Sequence, residues 1–518
     1  MLEEKLKQQY DIDCVVFLED LEHSKSSTLY RLLSKHQQAA YPPNYRFLFF
    51  NFAPLDSNTL KHVTQTITYL DISPCFILLV TDQKFTAEYF QSVSDDFEIQ
   101  RALPIEHALP NDKVKPFFNT NNQACAHGWA GLHVRPNGQT SLCCDQTDVI
   151  KQDDGQPYNI RQHSFNEILS SNYVTQAKNQ FRQGQLLDSC GNCAKTERNN
   201  SKSKRTMTPY KLENIYGLID WESNDPADSL GFIGGHIGNL CNLKCRICSP
   251  EYSSTIATEE LKSVAAADIK HRRSYQLLTS NRWSKKSDDF WEKLKEVVPQ
   301  ICNFEFLGGE PLLLKENLDF MQYLVDCGHS KNTIFEFITN GTQYPLILNQ
   351  ADKFQRLVIT LSIDNLGDRF EYERSGADWE VVVENINKFM QAKKNSNTLK
   401  IGVNTTVNIQ NVLYLPELID WFNQQELDYH LNTLQEPTYL SIEQLTARAK
   451  ELVLDKLIRA DLTEKDKSKL TDVITRIQQS TGSDGKMFCK KIKEKDIIRN
   501  ENFSISHNDI ANAMGYVL

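Results

Sequence analysis

The sequence lacks any long hydrophobic run and any excess of positive charge. Its longest apolar stretches, such as residues 75–80, have the length of a strand, whereas a membrane-spanning helix needs about 20 apolar residues. The formal net charge of the 518-residue chain is -10, which argues against a nucleic-acid-binding surface. We therefore expect neither a membrane nor a nucleic acid as a partner.

Sequence signatures of nucleotide and cobalamin binding are also missing. There is no G-x-G-x-x-G motif, no phosphate loop and no D-x-H-x-x-G run. Residues 1–7 are charged and lack the apolar core of a signal peptide, so we expect a cytoplasmic protein. In that compartment the 13 cysteines are expected to be metal ligands rather than disulfides, because the cytosol keeps thiols reduced.

Residues 1–104 are predicted to form a small α/β domain whose role the sequence does not indicate. Apolar runs at residues 13–18, 45–50 and 75–80 are typical of buried strands, and polar helix-like segments lie between them. This alternation predicts a parallel sheet. Residues 101–115 contain two prolines, Pro104 and Pro110, with Pro116 just after them, and are predicted to be a linker.

A second α/β region is predicted over residues 230–435. Strand-like runs alternate there with helix-like stretches, and they lie at residues 232–238, 303–307, 333–339, 356–363, 399–407 and 428–434. Repeated β–α units of this size indicate a barrel or a partial barrel. Residues 440–518 are predicted to be a charged helical region whose apolar stripes serve packing.

Three cysteines with the spacing C-x3-C-x2-C form the most informative motif. Cys241, Cys245 and Cys248 follow the first predicted barrel strand. Three thiolates can hold three corners of an iron–sulfur cube and leave one iron open to a small molecule. A zinc site is the alternative, but zinc needs four ligands, and His236 is the only nearby candidate for the fourth.

Polar residues follow the ends of the next barrel strands. The second strand ends in Gly308, Gly309, Glu310 and Pro311, and the later strands end in T-N-G-T at residues 339–342 and in L-S-I-D at residues 361–364. Glycine lets a ligand approach the backbone, and a glutamate can accept hydrogen bonds from an ammonium group. Barrel enzymes place their chemistry at this edge of the sheet.

The order of these motifs resembles the radical S-adenosylmethionine (SAM) superfamily, whose core is a partial (β/α)6 barrel. The resemblance implies that Cys241, Cys245 and Cys248 hold a [4Fe–4S] cluster whose open iron binds SAM. It further implies SAM contacts by residues at the strand ends, namely Gly308, Gly309, Glu310, Pro311, Ser362, Arg374 and Asn404. A guanidinium fork such as that of Arg374 suits a carboxylate. Reductive cleavage of SAM would give a 5′-deoxyadenosyl radical that abstracts hydrogen from a substrate.

A second cysteine block lies upstream of the barrel. Cys125 and Cys143 flank a predicted β-hairpin with its turn at residues 136–138, and Cys190 and Cys193 form a C-x2-C pair. Four thiolates make a complete ligand set for either an auxiliary iron–sulfur cluster or zinc. Cys144 is a spare thiol that could replace Cys143. The basic residues 194–211 are predicted to be a solvated connection.

The spacing of this block resembles the SPASM auxiliary-cluster module, and its four ligands resemble the shortened version called twitch. We therefore expect a twitch module over residues 116–200, placed before the barrel rather than after it. The predicted fold class is α/β: a partial (β/α)6 radical SAM barrel preceded by a small α/β domain and a β-hairpin-containing twitch module, with a helical C-terminal tail. The resemblance implies an auxiliary [4Fe–4S] cluster that accepts an electron.

These features predict a radical SAM oxidoreductase that oxidises or cross-links a peptide, protein or small natural product. An external electron donor such as flavodoxin or ferredoxin is implied. The sequence identifies neither the substrate nor a catalytic acid or base. Two alternatives stay open: a radical SAM transferase that moves a methyl or other carbon group, and a zinc-stabilised scaffold without enzymatic activity.

Overall fold

A computed structural model of the chain describes strands at residues 14–17, 46–50, 76–81 and 99–104, and otherwise residues 125–198, 203–205, 230–265, 268–279 and 288–517. The chain divides into two units. One unit comprises residues 1–129 and 175–229, and the other comprises residues 130–174 and 230–518.

The first unit contains a parallel sheet of β1 (Cys14–Phe17), β2 (Arg46–Phe50), β3 (Phe76–Thr81) and β4 (Ile99–Pro104), in that order. The three apolar runs predicted to be parallel strands are confirmed, and the helix-like segments between them lie outside the described residues. The linker predicted from residue 101 is wrong at its start, because β4 continues to Pro104. Among the described strands, β4 lies at the edge of this sheet. An edge strand tolerates polar residues and a terminal proline, so the sequence of β4 lacks the continuous apolar run by which the other three strands were predicted.

The second unit is built on a sheet that contains the predicted barrel strands. Six parallel strands lie side by side in chain order: β7 (Phe232–His236), β9 (Asn303–Leu307), β10 (Ile334–Thr339), β11 (Arg356–Ser362), β13 (Leu399–Val407) and β14 (Asp428–Thr433). Successive parallel strands of this kind confirm the α/β fold class. A separate two-stranded pair joins β8 (Lys244–Cys245) to β12 (Arg374–Ser375).

The predicted hairpin of the auxiliary region extends this same sheet. Its strands are β5 (Gly131–Val134) and β6 (Thr140–Ser141), and β5 pairs in parallel with β7. The turn contains Gly138 at φ +84°, which favours glycine. A Cβ atom on Gly235 would lie 2.5 Å from the carbonyl oxygen of Val134, so glycine is needed where β7 meets β5. The boundaries of the predicted twitch module stay a prediction.

Helices connect the strands and cover one face of the barrel sheet. The helices of residues 125–198 are α1 (Ala126–Ala130), α2 (Phe165–Leu169), α3 (Asn172–Arg182) and α4 (Gly191–Arg198). The helices that follow between residues 254 and 424 are α5 (Ser254–Ser263), α6 (Ile269–Thr279), α7 (Asp288–Val297), α8 (Lys315–Asp326), α9 (Gly367–Glu373), α10 (Trp379–Lys394) and α11 (Leu415–Gln424). A 3-10 helix, Leu346–Lys353, stands between β10 and β11.

The two faces of the barrel strands differ because side chains alternate along a strand. Phe304, Phe306 and Phe335 are fully buried, and they contact Phe320 of α8. The intervening positions are half-exposed and mostly polar, as at Glu305. The helix-covered face therefore forms the core, and the opposite face carries the polar residues.

The C-terminal region is helical, as predicted. It consists of α12 (Ala447–Ile458), α13 (Glu464–Gln479), α14 (Lys486–Arg499), α15 (Phe503–Ser506) and α16 (Asn508–Met514). The apolar stripe of α12 serves packing, since Ala449, Val453 and Leu457 are buried. Within the part of the chain that the structure describes, no helix is both long and apolar enough to cross a membrane.

Candidate active site

The cysteine loop (residues 237–253) joins β7 to α5 and carries Cys241, Cys245 and Cys248. Cys245 lies in β8 and pairs with Arg374 of β12. The side-chain amide of Asn239, which is fully buried, donates to the carbonyl oxygens of Pro250 at 3.2 Å and Leu278 at 2.9 Å. The loop is thus fixed by hydrogen bonds to its own far end and to α6, a role of Asn239 that the cysteine spacing does not reveal.

The three thiols share an environment that disfavours bare thiolates. The pKa values of Cys241 and Cys248 are raised to about 12, mainly by burial and in smaller part by the nearby Cys245. Burial also raises the pKa of Cys245, although the cation of Arg374 acts in the opposite direction. Metal ions bind thiolates and displace their protons. Three neighbouring thiols without disulfides therefore fit the cationic irons of a cluster.

Among the described residues, no three side chains of the His, Cys, Asp or Glu type are grouped so as to hold a single metal ion.

The G-G-E-P run at the end of β9 lies against the cysteine loop. Gly308 and Gly309 have φ of +79° and +55°, and a Cβ atom on Gly309 would lie 2.2 Å from the carbonyl oxygen of Leu240. The backbone N–H of Glu310 donates to that same oxygen at 2.7 Å. The sequence predicts that a ligand approaches the backbone at these glycines. In the structure, the group that lies against them is the carbonyl oxygen of Leu240, the residue before Cys241.

Substituting Gly309 by alanine is expected to displace the cysteine loop. A positive φ alone costs an alanine about 1–2 kcal/mol, and the clash with Leu240 adds to that cost. Gly341→Ala is the matched control, because Gly341 also has a positive φ, +79°, but its nearest heavy atom would lie at 3.3 Å. Chemical denaturation should show a larger loss of stability for Gly309→Ala, and equal losses would contradict this account.

Glu310 connects the ends of β9 and β10. One carboxylate oxygen accepts from the backbone N–H of Leu312 at 3.0 Å and from the hydroxyl of Thr339 at 2.7 Å, and the other accepts from the backbone N–H of Asn340 at 2.7 Å. A carboxylate has about four acceptor positions, so one more donor can be accommodated. Burial raises the pKa of Glu310 to about 7, although these hydrogen bonds lower it.

Because the pKa of Glu310 is raised in the folded protein, the free energy of unfolding depends on pH. Comparison with the variant Glu310→Gln measures the part of this dependence that Glu310 causes. Between the ordinary value of 4.5 and about 7, the folded protein retains a proton that the unfolded chain has released. The stabilisation by Glu310 is therefore fully present below pH 4.5 and is lost as the pH rises through 7. Relative to Glu310→Gln, which stays neutral, the wild type should lose about 3 kcal/mol over this range. A pH-independent difference between the two unfolding free energies would be inconsistent with the assigned pKa.

Arg374 lies between the cysteine loop and a buried aspartate. It donates to Asp364 at 2.6 Å, and its other terminal nitrogen lies 3.7 Å from the sulfur of Cys245. Asp364 also accepts from the backbone N–H of Thr406 at 2.8 Å, and burial raises its pKa while Arg374 lowers it. The Nε atom of Arg374 is buried and makes no hydrogen bond. The guanidinium is thus oriented by Asp364 and retains a donor for a further acceptor.

Ser362 and Asn404 lie opposite each other on β11 and β13. Both are half-exposed, and Asn404 accepts a hydrogen bond from Asn432 at 2.6 Å. Asn340, at the end of β10, donates to the side chain of Asn242 in the cysteine loop at 3.0 Å. The predicted strand-end residues thus occupy one edge of the sheet, and those of β9 and β10 contact the cysteine loop directly.

Three of the four predicted auxiliary ligands belong to the first unit. Cys125 precedes α1, Cys190 ends a short 3-10 helix, and Cys193 lies in α4. The pKa of Cys125 is raised to about 12, mainly by burial and in smaller part by the thiols of Cys190 and Cys193. Cys143, the predicted fourth ligand, follows β6 in the second unit.

The prediction that residues 194–211 form a solvated connection is wrong at Arg205. Its side chain is largely buried and pairs with Glu197 at 2.5 Å, and Ser203 donates to the same carboxylate at 2.5 Å. The cation of Arg205 lowers the pKa of Cys125, although burial outweighs it. A run of basic residues is usually solvated, and its sequence gives no signal that one member will pair with a glutamate in α4.

Two family models match the chain at these sites. The radical SAM superfamily model matches residues 236–419, and the model described as an iron–sulfur cluster-binding domain, SPASM, matches residues 125–194. The chain therefore contains a radical SAM domain preceded by a SPASM-type domain, which confirms the resemblance. The predicted [4Fe–4S] and SAM cofactors are confirmed for these domains, whereas the individual ligand residues stay predictions.

A search of curated proteins gave no significant match. Among solved structures, native anSMEcpe with bound AdoMet and a Cp18Cys peptide matches with 16% identity and a TM-score of 0.28, over 44% of this chain and 58% of that chain. Streptococcus suis SuiB bound to S-adenosylmethionine matches with 14% identity and a TM-score of 0.27, over 65% and 69% of the two chains. The chain thus spans about three fifths of the anSMEcpe structure.

Proposed function

We propose that the chain is a radical SAM oxidoreductase that acts on a peptide, a protein or a small natural product. The observation that supports this most directly is the convergence of strand-end residues on the cysteine loop. The guanidinium of Arg374 lies beside the sulfur of Cys245. The backbone N–H of Glu310 donates to the carbonyl oxygen of Leu240, the residue before Cys241. A ligand at the open corner of a cluster in this loop would lie close to both a cation and a carboxylate.

The cluster would be held by Cys241, Cys245 and Cys248. When bound, the cluster and SAM together supply reductive cleavage of SAM to methionine and a 5′-deoxyadenosyl radical. Arg374, oriented by Asp364, would bind the carboxylate of SAM through its remaining donors. Glu310 would accept its fourth hydrogen bond from the ammonium group. Gly308, Gly309 and Pro311 would shape this contact, and Ser362 and Asn404 would bind SAM from the neighbouring strands.

The auxiliary cluster would be held by Cys125, Cys143, Cys190 and Cys193. A complete set of four thiolates leaves no iron open to substrate, so electron transfer is its proposed role. When bound, this cluster would supply a one-electron acceptor for the oxidation of the substrate. An external donor such as flavodoxin or ferredoxin would reduce the first cluster. A reducing cytoplasm would suit these thiolate ligands.

Anaerobic purification with iron and sulfide tests the proposal. The protein should contain about eight irons, as expected for two four-iron clusters, and should release 5′-deoxyadenosine from SAM when dithionite is added. A fully loaded protein that does not cleave SAM would refute the proposed function, and so would a colourless protein that contains zinc. Labelled methyl from SAM in a product would instead identify a transferase.

The fourth auxiliary ligand can be identified by comparing two adjacent thiols. Cys143→Ala is expected to lose about four irons, whereas Cys144→Ala should retain all of them, because the spacing of the hairpin favours Cys143. SAM cleavage should persist in both variants, since the cysteine loop is unchanged. Iron analysis with the visible spectrum provides the measurement. The reverse pattern of iron loss would assign the ligand to Cys144.

A further inference from the structure

Arg246 stands between two of the predicted cluster ligands but points into the protein core. Its side chain is 2% exposed, and its backbone N–H donates to the carbonyl oxygen of Glu373 at 2.8 Å. The guanidinium lies 3.7 Å from the ring centre of Tyr372, and its Nε donates to the carbonyl oxygen of that residue at 3.1 Å. Arg246 therefore joins the cysteine loop to the end of α9.

The charge partners of Arg246 come from a segment about 250 residues further along the chain. Asp496, in α14, accepts from Arg246 at 2.5 Å, and Glu501 pairs with the same terminal nitrogen. Asp496 is fully buried and also accepts from the hydroxyls of Tyr372 at 2.7 Å and Tyr516 at 2.5 Å. One carboxylate from α14 and one from the segment that follows it thus fix one cation of the cysteine loop.

The segment that contains Asp496 and Glu501 also forms hydrogen bonds with both strands of the small β8–β12 pair. Arg499 donates to the carbonyl oxygen of Lys244 in β8 at 2.8 Å and pairs with Glu259 of α5 at 2.8 Å. Glu501 accepts from the hydroxyl of Ser375 in β12 at 2.7 Å. Each of these strands carries one residue of the proposed site, because Cys245 follows Lys244 and Arg374 precedes Ser375.

We infer that residues 486–507, the C-terminal clamp, position the cysteine loop and Arg374 for cluster and SAM binding. Asp496 and Glu501 act through Arg246, and Glu501 also acts through Ser375, so they are positioning residues rather than catalytic ones. This inference rests on the proposed function. Partners one shell away from metal ligands fix the orientation of those ligands, and their loss typically costs at least about tenfold in metal affinity or activity.

Glu501→Gln is the most informative variant, because Asp496 still neutralises Arg246 and folding is expected to persist. The matched control is Glu494→Gln, which removes a carboxylate of α14 that pairs with Lys491 at the surface. In the cluster-free full-length protein, the amides of residues 241–248 should exchange hydrogen about tenfold faster in Glu501→Gln, since a hydrogen bond to a charged group is lost. The control should exchange at the wild-type rate.

The reconstituted proteins provide a second readout. In Glu501→Gln, SAM cleavage should be about tenfold slower, and the electron paramagnetic resonance spectrum of the reduced cluster with SAM should differ from that of the wild type. A merely structural role would leave this spectrum and the loop exchange unchanged, and that result would overturn the inference. Should Glu501→Gln fail to fold, Ser375→Ala removes only the hydroxyl that donates to Glu501 and provides the same comparison.

The two proposals fail in different ways. A wild-type protein that loads iron but does not cleave SAM would refute the proposed function, and the exchange comparison would still report on the clamp. Wild-type cleavage of SAM with identical exchange and spectra in Glu501→Gln would refute the clamp alone.

Discussion

Replacing Cys245 by alanine is expected to abolish cleavage of SAM and to remove about four of the roughly eight irons. Cys245 lies at the centre of the cysteine loop, and its strand β8 pairs with the strand that carries Arg374. Its loss would leave two thiolates, which cannot retain a cluster that keeps one iron open. Release of 5′-deoxyadenosine under dithionite and iron analysis are the measurements.

Cys327→Ala serves as the control for this variant. Cys327 is an exposed thiol at the end of α8, outside both cysteine blocks, so its removal should leave iron content and SAM cleavage at the wild-type level. A Cys245→Ala protein that still produces 5′-deoxyadenosine would contradict the assignment. Equal losses in the two variants would indicate general damage by thiol removal instead.

Arg246→Met should lower the free energy of unfolding by about 3–5 kcal/mol. The substitution leaves two carboxylates, Asp496 and Glu501, without the cation that neutralises them, and breaking a buried pair by removing one partner has a cost of this size. Asp496 is fully buried and accepts hydrogen bonds from Tyr372 and Tyr516, so it cannot move into water. Chemical denaturation of the cluster-free protein measures the loss.

The chain offers a close control in Arg369. This residue also stacks on a tyrosine, with its guanidinium 4.2 Å from the ring centre of Tyr414, and also pairs with a glutamate, Glu417, at 2.7 Å. Its pair is partly exposed, however, and exposed pairs contribute at most about 1 kcal/mol. Arg369→Met should therefore be mild. Similar losses for both arginine variants would show that burial of Arg246 is not the decisive factor.

The cysteine loop and the strand-end residues could be predicted because their chemistry is local. A C-x3-C-x2-C spacing puts three thiols within eight residues, and parallel strands bring their carboxyl ends to one edge. The contacts between these parts were less predictable. Gly309 makes room for Leu240, and Glu310 is bonded to Thr339 and Asn340, and such pairings depend on how two strand ends meet in three dimensions.

The C-terminal clamp could not have been predicted from its own residues. The α14 sequence contains many lysines and reads as a solvated helix, and Asp496 and Arg499 look like two more of its surface charges. Their partners, Arg246 and Glu259, are about 240–250 residues away in the chain. Buried ion pairs between such distant segments leave no periodic pattern, so only the folded chain reveals them.

Because β5 pairs with β7, the barrel cannot be separated from the preceding hairpin without exposing one edge of β7. A protein that begins at residue 230 would retain all six predicted barrel strands, but it would leave β7 without its neighbour on one side. The bare N–H and C=O groups of such an edge readily recruit a strand from another molecule. A shortened barrel whose β7 keeps its neighbour therefore includes residues 131–141, although the sequence places them in a different domain.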